Sequence, residues 1–324
     1  MKSIAALDPS TYVRHAIHSE GRTWAETNCY SDVLIELLHG LGYEPVAGLA
    51  FTLAIDFEGD QWTFFKFSHT DLLDLYGFDI QELAVWRPLG DHIAEMIAGG
   101  RPVLVELDSY FLPDTVGSAY RQVHTKSTVA VNEIDVAGRH LGYFHNQGYY
   151  SLDGQDFSDI LQLDGLVHER MLPPYFEYVK IHPEFAAPSR AALVERSLAS
   201  LRRHLARAPR DNPFLRFQQR FTQDLDWLIG ADLSTFHAYS FATLRQYGAC
   251  YELSETYLRW LGSEGVAGVD EAAGQFQQLS LAAKTYQFNL ARSMARRRPL
   301  DLNLLADMAR QWDAGMSALR SRFG

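Results

Sequence analysis

The chain has 324 residues, 47% of them hydrophobic and 21% charged, a globular composition long enough for one large or two ordinary domains. Its net charge of −11, with no basic stripe interleaved with aromatics, argues against a nucleic-acid partner, and no apolar run is long enough to cross a membrane. Only two cysteines, Cys29 and Cys250, stand far apart, and the N-terminus lacks the apolar stretch of a signal peptide, so a reducing, cytoplasmic setting is expected.

In chain order, the first strong element is a helix. Tyr30, Val33, Leu34, Leu37, Leu38 and Leu41 recur at helical spacing, and Gly42 supplies the stop. Two runs of β-formers, 51–57 and 61–67, predict a hairpin around Glu58-Gly59-Asp60. Residues 70–100 read as helical, with a break at Arg87-Pro88 and a stop at Gly99-Gly100. Strands follow at 102–107, 127–135 and 139–152, the last two around a turn at Gly138. This order is α plus antiparallel β, not a regular βαβ alternation.

Four prolines between 173 and 188 then mark a linker, within which 175–181 predicts an edge strand. Beyond it the pattern is helical throughout, over 189–207, 213–229, 234–247, 249–262, 268–297 and 301–321. Phe214, Phe217, Phe221 and Trp227 have the spacing of a bundle core. The charge changes sign across the linker. Residues 1–183 carry 11 Lys+Arg against 26 Asp+Glu, giving −15, and residues 184–324 carry 18 against 14, giving +4. Two domains are therefore predicted, an α+β domain over 1–183 and an all-α helical domain over 184–324.

The chemistry centres on Cys29, which opens the first helix. The positive end of the helix dipole favours a thiolate there, and a thiolate nucleophile needs a basic partner from elsewhere in the fold. Among the twelve histidines, His124 is the strongest candidate, because it leads directly into a strand. If that strand pairs with the next through Gly138, Asn146 falls near His124 and its amide oxygen can orient the imidazole. Asp108, Tyr110 and Asp114 follow a buried-looking strand and form either a candidate substrate-binding group or a capped turn with Pro113 and Asp114. Cys250 reads as helix core. His140 and His145, five residues apart, should face opposite ways, and no Cys/His cluster predicts a metal.

The order of Cys29 at a helix start, His124 at a strand start and Asn146 closing the next strand resembles that of papain-like cysteine enzymes. Asn28-Cys29 and the segment Val103–Pro113 are similar to the butirosin-biosynthesis acyltransferase family, and the bacteriocin-processing peptidase domain shows the same order. Residues 112–124 also resemble an uncharacterised bacterial family with the pattern LPDT-x-G-x-x-Y-x-x-x-H. The resemblance implies a papain-like catalytic domain and acyl transfer from a phosphopantetheine thioester on a carrier protein to a small amine acceptor. Cys29 would take the acyl group, His124 would move the proton and Asn146 would orient it, with Asp135 as the alternative third member. The Gln that donates to the oxyanion in papain has no counterpart at the matching spacing, leaving Asn28, Thr27 or the Cys29 backbone N–H to do so. Arg202, Arg203, Arg296, Arg297 and Arg298 offer either solvated helix faces or a docking face for an acidic carrier protein. A cysteine peptidase or amidase and a non-catalytic binding module are the alternatives.

Overall fold

The computed structural model describes residues 2–24, 27–163 and 175–324. The elements run β1 (Lys2–Ser3), α1 (Cys29–Gly40), β2 (Phe57–Glu58), β3 (Gln61–Trp62), α2 (His69–Tyr76), β4 (Phe78–Glu82), α3 (Leu89–Ala98), β5 (Val103–Asp108), β6 (Lys126–Asp135), β7 (His140–His145), β8 (Gly148–Asp153), α4 (Gly154–Ile160) and β9 (Phe176–Ile181). Six helices follow: α5 (Arg190–Arg207), α6 (Pro213–Gly230), α7 (Leu233–Ser240), α8 (Gln246–Ser263), α9 (Asp270–Arg296) and α10 (Asn303–Phe323). An α+β region with an antiparallel sheet is thus followed by an all-helical region. No helix among the described residues is long and apolar enough to cross a membrane.

The compact units are not two consecutive halves. One comprises Met1–His18, Asn28–Pro45 and His69–Ala187; the other comprises Ser19–Thr27, Val46–Ser68 and Pro188–Gly324. The start of the proline-rich linker, residues 171–174, lies outside the described residues.

In the first unit the sheet order is β4-β9-β5-β6-β7-β8, and β1 also pairs with β6. Alternation gives the sheet two faces. On one, Val103, Val105, Val129, Val131 and Tyr143 meet Ile93 and Ile97 of α3 and Phe157 and Ile160 of α4. On the other lies α1, so close to β7 that a Cβ on Gly40 would stand 2.6 Å from the Phe144 ring. Glycine is required there by contact.

Three predicted elements before the helical region change. Only two residues per strand survive of the hairpin, around Gly59 with φ 79°, because Pro45–Ala54 coils as a 3-10 helix. The predicted helix over 70–100 divides, since Gly77 takes a positive φ of 69° after α2 and the chain then extends into β4. Strand β4 occupies the edge, so β9, predicted as an edge strand, pairs on both sides with β4 and β5.

Helix α1 begins with the Asn28 side chain accepting from the Ser31 N–H at 2.9 Å. It ends in a Schellman arrangement, Tyr43 N–H to Leu38 carbonyl and Gly42 N–H to His39 carbonyl. Between them every residue from Tyr30 to Leu38 is buried, including Asp32 and Glu36. Two carboxylates in an apolar setting need a cation. His18, fully buried, supplies it, with Nδ1 2.5 Å from Glu36 and Nε2 3.3 Å from Asp32. Burial alone would lower the His18 pKa, but the hydrogen bonds and negative charge of Asp32 and Glu36 prevail and raise it to about 9. The Tyr12 hydroxyl also donates to Glu36, at 2.5 Å.

In the second unit, Trp62 packs on Phe214 at 4.7 Å and on Tyr247 at 5.0 Å between ring centroids. Phe214, Phe217 and Phe221 are core, but Trp227 is 60% exposed and falls off that stripe. Helix α7 runs through a π-helical turn, Phe241–Arg245, into α8, where two separate helices were predicted. Cys250 is fully buried, which pushes its thiol pKa well up.

The His18 ion pairs contribute fully below the free histidine pKa of about 6.5 and are lost as pH rises through about 9. Thermal melts from pH 6 to 10 should therefore show stability falling across that window. A His18→Leu variant should lose about 3–5 kcal/mol near neutrality, because Asp32 and Glu36 keep their burial without a cation.

Candidate functional site

Cys29 is the first residue of α1 and is half-buried. Its Sγ donates to the Thr128 hydroxyl at 3.7 Å. Thr128 lies in β6 opposite Glu106 of β5, and Glu106 is ion-paired with Lys126. On the same sheet face Glu177 of β9 accepts from the Tyr30 hydroxyl at 3.1 Å. The thiol therefore stands at a helix N-terminus over a polar stretch of an otherwise apolar sheet face.

His124 comes two residues before β6. Its Nδ1 is 2.6 Å from Asp108 Oδ2, and Asp108 closes β5. The pairing of β5 with β6 makes this contact: Asp108 is in register with Lys126, and Ser109 N–H bonds the Thr125 carbonyl at 2.8 Å. The second Asp108 oxygen accepts from the Tyr110 N–H at 3.0 Å, and the Tyr110 ring stacks on the imidazole at 4.3 Å and 9°. The Arg121 guanidinium covers the Tyr110 and Phe111 rings and is ion-paired with Asp156. Carboxylate, ring and loop together fix one orientation of His124. A carboxylate on Nδ1 assigns the proton there and makes Nε2 the nitrogen that can exchange one.

The orienting group is therefore Asp108, which the sequence pointed to as a substrate contact. Asn146, expected in that role, occupies the two-residue turn between β7 and β8 with a φ of 46°. Asp135, the alternative, is at the far end of β6, where it is in register with His140 and accepts from the Gly138 N–H at 2.9 Å. The Asp108 signal was present in the sequence as the residue just past the predicted strand 102–107, which pairs with the one His124 leads. It required knowing that pairing.

The structure gives Cys29 and His124 separate partners, and none of the hydrogen bonds described joins them. Asn28 is occupied as the cap of α1, and Thr27 is buried in the segment that belongs to the helical unit. Of the arginines, Arg202 and Arg203 are exposed on α5, and Arg296, Arg297 and Arg298 are exposed at the end of α9. Among the described residues no group of three or more His, Cys, Asp and Glu side chains is arranged to hold a metal.

A pocket of about 500 Å³ opens beside His124 and Asp108, with Glu106 and Lys126 also on its wall. A further constellation was not foreseen. Ser127 Oγ is 2.6 Å from His145 Nε2, and His145 Nδ1 is 2.6 Å from Asp114 Oδ2, which puts Ser, His and Asp in line. The Tyr143 hydroxyl donates to the other Asp114 oxygen at 2.6 Å. His145 is 1% exposed and Asp114 4%, so this relay is internal, and it ties the loop carrying Asp114 to β7.

The sequence matches the DUF1839 N-terminal domain over residues 13–181 and the DUF1839 C-terminal domain over residues 190–321. The chain belongs to the DUF1839 family. Its N-terminal match ends at the last residue of β9, and its C-terminal match begins at the first residue of α5. No curated protein matches the chain.

Since Cys250 is sealed in the core and Cys29 is not, native protein should incorporate one iodoacetamide adduct, at Cys29, read by intact mass. Thr128→Val removes the acceptor of the thiol and should change the labelling rate several-fold. An unchanged rate would mean the Thr128 bond does not restrain the thiol.

Proposed function

We propose that this protein is a cysteine-dependent acyl or aminoacyl transferase with a papain-like catalytic unit, using the phosphopantetheine thioester of a carrier protein as donor and a small amine as acceptor. The observation that carries this reading is the clamped His124–Asp108 pair, 2.6 Å apart, beside a pocket in the same unit as a cysteine at a helix N-terminus.

In the first half-reaction the Cys29 sulfur attacks the thioester carbonyl, the new S–C bond forms, and the carrier thiol leaves with the proton given up by Cys29. The exchange is sulfur for sulfur, so it makes small demands on leaving-group protonation. In the second, the amine attacks the acyl-enzyme, His124 takes the ammonium proton, and Cys29 regains its proton as the amide departs. Asp108 holds the imidazole as a positioning residue. Carrier docking by Arg202 and Arg203 fits the positive charge of the helical half.

A second reading is favoured by one feature, the bond of Cys29 to Thr128 rather than to His124. There His124 acts directly as a base on water or an amine, and the reaction is a hydrolysis or transfer without an acyl-enzyme.

Incubating the protein with acyl-loaded carrier proteins and reading intact mass separates the two. The proposal expects an acyl adduct on wild type, none on Cys29→Ala, and an adduct that persists on His124→Gln because its second step is slow. Asp108→Asn should reduce turnover about 10²–10⁴-fold. Turnover retained by Cys29→Ala with no adduct on wild type would exclude the covalent mechanism.

A further inference from the structure

The pocket beside His124 has walls of two kinds. Val85, Leu89, Leu107, Ile160, Leu161 and Leu163 make it apolar over most of its interior. Among the described residues, every charged side chain on it has a partner of opposite sign. Arg87 is paired with Glu95, Lys126 with Glu106, and His124 with Asp108. A charged group entering this space would lose its hydration and would have to break one of these pairs to regain a counter-charge, whereas an apolar group loses only its unfavourable contact with water. The volume, about 500 Å³, falls within the range of sites that enclose a small-molecule ligand.

We infer that this pocket selects a neutral, apolar acyl group, aliphatic or aromatic, and excludes charged ones; the inference rests on the acyl-transfer reading for its role but not for its binding. His124 and Asp108 border the pocket, so a group seated against Leu107 and Ile160 leaves its carbonyl end toward the imidazole. Each methylene buried there contributes roughly a three- to fourfold gain in affinity until the space is filled.

The test measures binding without chemistry. N-Acetylcysteamine thioesters of two-, four-, six- and eight-carbon acyl groups are titrated calorimetrically into the full-length Cys29→Ala variant, beside the succinyl thioester as the charged four-carbon probe. Expected is a stepwise three- to fourfold tightening with chain length, and succinyl binding at least tenfold weaker than butyryl. Val85→Trp, at a half-buried position on the wall, should remove the gain for the six- and eight-carbon probes while leaving the two-carbon probe unchanged, and Val85→Ala should keep the series. Thermal melts of both variants report whether they fold. Affinity independent of chain length, or succinyl equal to butyryl, overturns the inference. A length-dependent series together with no acyl adduct on wild-type Cys29 leaves the pocket standing and removes the transferase reading; loading of Cys29 without length dependence does the reverse.

Discussion

The first unit depends on strand β6. It is hydrogen-bonded along both edges, to β5 and then β1 on one side and to β7 on the other, and it is packed on both faces. Eight consecutive residues, Ser127 to Ile134, are buried as a result. A strand held this way cannot slip by a single residue without turning every side chain to the wrong face. That constraint puts Thr128 under the Cys29 thiol, Ser127 on the opposite face against His145, and His124 at the entry within reach of Asp108. The one irregularity, a shift of register between Val131 and Glu133, brackets Asn132, whose side chain bonds the backbone of Ala5 and the Tyr149 hydroxyl.

Helix α1 imposes the second constraint. An apolar helix could have been buried at no electrostatic cost, yet this one carries Asp32 and Glu36 inward, and the chain holds His18 between them. The arrangement fixes the helix against rotation, because turning α1 would separate both carboxylates from the single imidazole. Rotation would also move Cys29, at the start of the same helix, away from Thr128. Stability and the aim of the thiol are thus carried by the same buried charges.

How much of this was legible in the sequence follows from which forces are local. Helix α1, its Asn28 start and its Gly42 stop, the strands over β5 to β8, and the helices from α5 onward are written in periodicity and capping, which act over a few residues. The interleaving of the units was not legible, because nothing local distinguishes an apolar run that packs nearby from one that packs 150 residues away. Phe57 and Trp62 looked like strand residues and are aromatic core of the helical unit, against Phe217 and Phe214. The candidate site divides the same way. Cys29 and His124 stand out by position within an element, whereas the choice of Asp108 over Asn146 depends on which strand neighbours the one His124 leads. Both neighbours of β6 were available, and the residue that closes β5 reaches the imidazole while Asn146, one past the end of β7, lies in the turn to β8.

The different partners of Cys29 and His124, Thr128 and Asp108, bear on the chemistry more than on the fold. A peptidase has to protonate a poor amine leaving group as the tetrahedral intermediate collapses, so its histidine must reach both sulfur and leaving nitrogen. A thioester has no such need, since the departing thiol is as good a leaving group as the incoming one. In the reading proposed above, the histidine is required only later, when an ammonium must lose its proton to attack the acyl-enzyme. For that second step the base has to stand within hydrogen-bond reach of the amine at the acyl carbon, beside the sulfur but not bonded to it, and the resting thiol keeps its own partner in Thr128. In that reading a resting thiol bonded to Thr128 and a histidine bonded to Asp108 need join only through the substrate, when the amine meets the acyl carbon.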